Sequence, residues 1–200
     1  MMRYWILDGG HNGGAYISGY PKSTIKNWRY HEGESLAKEF PKDAAVVFSS
    51  KWPERRKLYD FLDNAVTALI VSERVRRILE DLKAKDLEFL PVTVKDHKGA
   101  PVEARYFILN PLGGQDAIDM EKSQLVMSAL DKEQIAHINK LVLQPKKIDK
   151  DAKLFRASRA RTVIFVDDAV RKAFRKEGIT GFWLYKAEGW DGLSMAEDED

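Results

Sequence analysis

Between Asn110 and Ser123 the chain reads NPLGGQDAIDMEKS, which places Asp116, Asp119, Glu121, Lys122 and Ser123 within eight positions. Two or three carboxylates held close together are what magnesium coordination or acid–base catalysis requires, so a small hydrolase or transferase is one function this stretch could carry. The competing structural reading is a loop in which Asp119 accepts hydrogen bonds from nearby backbone N–H groups. That reading is favoured, because acidic side chains in turns commonly bond their own backbone. Asn110 reads likewise as a strand-end or turn residue, and Ser123 as a helix cap. Elsewhere the reactive groups are scattered. His11, His31, His97 and His137 stand far apart, with none at metal-ligand spacing from another. There is no G-x-S-x-G elbow. The DGGHNGG that follows Leu7 lacks the G-x-G-x-x-G order and the Lys-Ser/Thr of a phosphate loop, which leaves a flexible loop. The chain has no cysteine, so disulfides, zinc–thiolate sites and cysteine nucleophiles are excluded. No catalytic residue, metal or cofactor is expected.

Binding chemistry has more to work with. Phe165, Phe174, Phe182 and Trp183 fall at core spacing, whereas Trp28, Trp52 and Trp190 stand in irregular or polar surroundings. Aromatic residues beside arginine are enriched in partner-binding surfaces. These three tryptophans therefore join Asp116, Asp119 and Glu121 as candidate contact residues, with packing under a loop as the competing reading for each. The net charge of +2 hides an asymmetry: from residue 187 onward Glu188, Asp191, Glu197, Asp198, Glu199 and Asp200 meet no Lys or Arg, so the rest of the chain carries +8. Basic residues gather at Lys51–Lys57 (KWPERRK), at Arg74–Arg77 (RVRR) and between Gln144 and Arg161. A basic face attracts nucleic acid or an acidic protein. The interspersed acids and a pI of 8.6 favour a solvated surface over nucleic acid. The N-terminus reaches Asp8 after four apolar residues, too few for a secretory signal, and no later segment is long and apolar enough to span a membrane. Cytoplasmic residence is the expectation.

The elements that position these residues centre on a duplicated unit. TVIFVDDAVRKAFRKEGITGFWLY (Thr162–Tyr185) runs in the same order as TALIVSERVRRILEDLKAKDLEFLPV (Thr67–Val92), with Ser72 placed on Asp167, Val75 on Val170, Arg76 on Arg171 and Leu79 on Phe174. Each begins with a short β-branched apolar run suited to a strand covered on both faces. Ser72 and Asp167 then offer side-chain oxygens as helix caps. Val75, Ile78, Leu79 and Leu82 draw one stripe of 3.6-residue period, and Gly178 should close the second helix before a strand at Phe182–Tyr185. Around the two units, strands are expected at Tyr4–Leu7, Ala45–Phe48, Leu141–Leu143 and Lys153–Phe155. A helix should start at Pro53, with Leu58, Phe61 and Leu62 as its face. The residues after Val92 predict a hairpin turning at Lys98–Gly99, its second strand running from Ala104 to Leu109 with Phe107 and Leu109 on one face. The fold class predicted is α+β: a mixed sheet with packed helices, built on two similar strand–helix–strand units in one domain. The N-terminal part to residue 52 reads as irregular, with a turn of helix near Ser35–Phe40, and the acidic tail 191–200 is expected to fray.

RYFILNPLGGQDAIDMEKS, taken with KLFRASRARTVIFVDDAVRKAFRKEGITGFWLY, resembles immunity protein family eleven of the bacterial polymorphic toxin systems. The residues that carry the resemblance are Asn110 at the end of an aromatic-rich strand, Asp119 with Ser123, the pair Phe155–Arg156, and the closure Gly178, Gly181 and Phe182. The earlier LIVSERVRRIL fits as well, so the resemblance covers about Lys57–Trp190. It implies a non-enzymatic protein that binds and neutralises a cognate toxin encoded beside it. Enzymatic use of Asp116, Asp119 and Glu121, and nucleic-acid binding, stand as the alternatives. Self-association is left open.

Overall fold

The computed structural model describes residues 3–10 and 13–193. In chain order the elements are β1 (Tyr4–Gly9), β2 (Tyr16–Ile17), β3 (Ala45–Val47), β4 (Phe61–Asn64), β5 (Leu69–Ser72), α1 (Glu73–Asp81), β6 (Leu87–Lys95), β7 (Tyr106–Pro111), β8 (Gln124–Met127), β9 (Ile135–Lys140), β10 (Leu154–Arg156), β11 (Ile164–Asp167), α2 (Asp168–Lys176) and β12 (Phe182–Lys186). Single 3-10 turns lie at Asn27–His31 and Pro145–Lys147. The strands form a six-stranded sheet in the order β2-β4-β5-β7-β6-β3, a four-stranded sheet β10-β11-β1-β12 and a separate β8-β9 hairpin. A backbone bond from Phe61 N to Thr180 O links the larger sheets on one side, and a Gln115–Ala157 bridge does so on the other. The result is an α+β fold with a mixed, nearly closed sheet and two packed helices.

The duplicated unit is present in both copies. Ser72 Oγ accepts from Val75 N, and Asp167 Oδ1 accepts from Val170 N at 2.9 Å, so each predicted cap starts its helix. Gly178 follows α2 at φ +61°, the left-handed position past a helix end. In each unit the two strands flanking the helix run parallel, because both pair antiparallel with one strand between them: β7 lies between β5 and β6, and β1 between β11 and β12.

That intervening strand extends the duplication further than the two units. Ser72 faces Tyr106 and Asp167 faces Tyr4, which sets Arg3-Tyr-Trp-Ile-Leu-Asp8 on Arg105-Tyr-Phe-Ile-Leu-Asn110. Each repeat therefore reads strand, long arm, strand, strand, helix, strand, and the leading strand of each pairs within the other repeat's sheet. This six-residue similarity was visible in the sequence and marks β1 as the counterpart of β7. Equivalent positions meet in the central core: Trp5 with Phe107, Leu7 with Leu109, Phe61 with Leu154, Val71 with Val166, Val75 with Val170 and Leu79 with Phe174 all belong to one buried cluster. Arg76 lies over the Phe107 ring at 4.9 Å, and its counterpart Arg171 lies over Trp5 at 4.1 Å.

The outer faces of the sheets carry the other two clusters. Leu62, Ile70, Leu90 and Ile108 are covered by the first arm through Ile17, Ile25, Tyr30, Leu36 and Val46. Ile6, Phe155 and Phe165 are covered by the second arm through Ile118, Ile138, Leu141 and Ile148.

Three local expectations are corrected. No helix begins at Pro53: Phe61 and Leu62 lie in β4 and point to opposite faces, Phe61 into the central core and Leu62 under the first arm. Adjacent apolar residues on a doubly covered strand match the i+3, i+4 part of a helical pattern, and burial decides for the strand. The strand expected at Leu141–Leu143 is displaced to Ile135–Lys140, and Leu141 instead bonds the backbone of Gly189 and Trp190. Ser123 caps no helix; its hydroxyl accepts from Val142 N at 2.9 Å and donates to Val142 O at 3.2 Å, closing the base of the β8-β9 hairpin. The expected fraying of the tail concerns chiefly Ser194–Asp200, which lie outside the described residues, as does His11.

Candidate functional site

The acidic stretch does not converge. Asp119 Oδ1 accepts from the N–H groups of Glu121 and Lys122 at 3.2 and 3.1 Å, and its other oxygen binds Lys122 Nζ at 3.0 Å. Those bonds, the Lys122 ammonium foremost, hold its carboxyl below the usual range. Asp116 pairs with Lys147 Nζ at 2.8 Å, and Glu121 is exposed. Among the described residues no group of three or more His, Asp or Glu could hold a metal ion.

The tryptophans divide. Trp28 is 60% exposed on its 3-10 turn, and Trp52 is 41% exposed with the Arg55 guanidinium 4.4 Å from its ring centre. Trp190 packs beside Tyr185, and its indole N–H is buried.

Two buried polar joints were not anticipated. At the first, Asn110, 1% exposed, donates to Glu34 O at 2.8 Å and to Glu88 Oε2 at 3.1 Å. Glu88 also accepts from Ser35 Oγ at 2.6 Å and from the N–H groups of Leu36 and Ala37 at 3.0 and 3.2 Å, pinning the first arm to β6. Burial raises the Glu88 carboxyl, but those donors together outweigh it and leave the group below its usual value. Arg156 reaches Asn110 Oδ1 at 3.5 Å and donates to the carbonyls of Pro111, Tyr30 and Arg161. Burial pushes its guanidinium down to about 10, so it remains charged at neutral pH.

Beside this joint Tyr20 stacks on Tyr30 at 3.9 Å, and its hydroxyl lies 3.0 Å from His31 Nε2. The cavity there, about 20 Å³, has room for about one water and none for a substrate.

At the second joint Asp60, 6% exposed, accepts from Ser72 Oγ at 2.7 Å, from Thr180 N and Oγ1 at 3.0 and 2.9 Å, and from Arg74 at 3.0 Å. It ties the start of β4 to the α1 cap and to the loop before β12. In the other repeat Lys153 holds the Asp167 cap at 3.0 Å in the corresponding place. Glu88 and Asp60 looked like ordinary surface acids in the sequence; only their partners, distant in the chain, reveal them.

Asn110 and Arg156 are thus brought together, while Asp119 with Ser123, and Gly178 with Gly181, lie in separate turns. All of them brace the backbone. The family model described as Immunity protein family (Imm11) matches residues 11–189. The chain belongs to that family. A comparison with curated proteins finds no match. The match reaches well before Lys57, so the first arm, which reads as irregular sequence, is part of the Imm11 domain pattern. Membership makes the chain a bacterial immunity protein that acts on a cognate toxin without catalysis of its own. The bracing role of its polar residues accords with that. Among the described residues no helix is long and apolar enough to cross a membrane.

Proposed function

We propose that this Imm11 chain, as one immunity-type domain, neutralises a toxin encoded by an adjacent gene through direct protein–protein binding in the cytoplasm. The binding either covers the toxin's active surface or locks its conformation. The observation that carries this beyond family membership is the contrast between the two sets of candidate residues. Asp116 and Asp119 are engaged by lysines and, for Asp119, by its own loop, whereas Trp28 and Trp52 stay exposed, Trp52 with the Arg55 guanidinium over its ring. Exposed Trp with Arg is the composition of binding hot spots. Trp28 and Trp52 are therefore the leading contact residues, with Asp116, Asp119, Glu121 and Trp190 at most on the rim.

The test is growth of cells expressing the adjacent gene with and without this chain. Arrest in the neighbour's presence, relieved by this chain, is expected. A neighbour harmless alone, or toxic in both cases, would overturn the proposal. The mass of the free chain in solution shows whether it also self-associates.

A further inference from the structure

The segment between β3 and β4 is a built surface. Trp52 N bonds Ser49 O at 3.2 Å and Arg55 N bonds Trp52 O at 3.0 Å, which folds KWPERRK into a tight turn. Arg55 lies over the Trp52 ring and reaches Asp63 at 3.7 Å, and Arg56 Nε donates back to Pro53 O at 3.1 Å. His97 Nε2 lies 3.1 Å from Ser49 O and holds the β6–β7 turn against the same segment. Between the two lies a cavity of about 280 Å³ with an apolar floor of Phe48, Leu58 and Val102 and a polar rim of Arg56, His97 and Lys98. Asp96 also borders it, but its carboxylate is taken up by the N–H groups of Lys98 and Ala100 at 2.8 and 2.9 Å.

The charge here is not balanced locally. Lys51, Arg56, Lys57 and Lys98 are exposed and have no ion pair among the described residues. Exposed cations elsewhere divide: Arg77, Lys85, Lys122, Lys147 and Lys172 each have an acidic partner within 4.0 Å, and Lys22, Lys38, Lys146 and Lys150 have none among the described residues, but none of these four lines the recess. A preformed apolar recess with the unpaired Arg56 and Lys98 on its rim, and Lys57 between two of its lining residues in sequence, complements an apolar side chain flanked by carboxylates.

We propose that this recess is the toxin's docking point, taking an aromatic or aliphatic side chain of the toxin onto Phe48, Leu58 and Val102 while neighbouring acidic residues pair with Arg56, Lys57 and Lys98. The inference rests on the toxin-binding reading above and adds the place and chemistry of contact. Nucleic acid fits less well. Arg55 already occupies a face of Trp52 on which a base would stack, and the recess floor is apolar.

The experiment titrates the inactivated product of the adjacent gene into the full chain by calorimetry, comparing wild type with R56E/K98E. The double reversal should weaken binding by roughly a hundredfold, and W52A by about tenfold. R56Q/K98Q, which adds no repulsion, should cost about tenfold and serves if the reversed pair melts early. K146E/K150E makes the same charge change on exposed lysines of the second arm and should stay within about threefold of wild type. Wild-type affinity in R56E/K98E, equal loss in K146E/K150E, or a DNA duplex that competes with the toxin would each overturn the docking site while leaving toxin binding intact. No binding by wild type removes both proposals together.

Discussion

Replacing Asp60 with Ala probes how the two repeats are held together. The carboxylate is buried and serves Ser72 Oγ, Thr180 N and Thr180 Oγ1 within 3.0 Å. Truncation strands the hydroxyl of buried Ser72, at a cost on the order of 1–3 kcal/mol when its donor is left unpaired. The two Thr180 donors lose less, on the order of 1 kcal/mol together, since Thr180 is exposed and water can replace the carboxylate. The Arg74 ion pair contributes at most about 1 kcal/mol, because that side chain is 57% exposed and solvent screens it. The sum predicts a loss of about 3 kcal/mol for D60A in urea unfolding at neutral pH, and roughly half that for D60N, which keeps an acceptor but loses the charge. A double-mutant cycle with Thr180→Val should return a coupling of about 1–2 kcal/mol. If D60A costs under about 1 kcal/mol, or if the cycle shows no coupling, the joint does not tie the repeats and the reasoning fails.

Other consequences can be checked with the same unfolding assay or with growth. Glu88 has its folded-state pKa depressed, so its stabilisation is full above the unfolded value of roughly 4.3 and is lost as pH falls through the folded value. E88Q should therefore lower stability at pH 7 and flatten the acid limb between about pH 5 and 2; an unchanged acid limb would contradict this. Gly33 sits at φ +74° with its Cβ position against the Gly113 carbonyl, and Gly33→Ala should destabilise by about 2 kcal/mol or more, as a shift in urea midpoint. Leu79, fully buried in the central core, should lose about 3 kcal/mol on truncation to Ala. D119N should leave protection from the toxin unchanged and cost about 1 kcal/mol or less; loss of protection with an intact fold would revive an enzymatic role for that loop.

The duplicated units were legible in the sequence because their signals are local. A capping oxygen, an apolar stripe and a closing glycine stand within about two dozen residues of each other, and Ser72 and Asp167 both do what their positions imply. The exchange of β1 and β7 was not read, although RYWILD and RYFILN match, because strand partnership depends on contacts between chain segments far apart. The β8-β9 hairpin escaped for a different reason. Val126 and Met127 are exposed, so no inward-outward alternation marks the strand. Pro53 misled because Leu58, Phe61 and Leu62 satisfy both periods until the covering layers are known. Of the candidate contacts, Trp52 and the basic run around it were visible as residue types; the recess beside them was not, since Phe48 and Val102 come to it from either side in sequence.

The central claim is that protection is stoichiometric binding. Purified full-length chain titrated into the inactivated product of the adjacent gene tests it most directly. One saturable complex at equal molar ratio is expected, with a Kd of about 10⁻⁷ M or tighter. Protection in cells without any complex in vitro, or protection by far less than one equivalent of this chain, would contradict it.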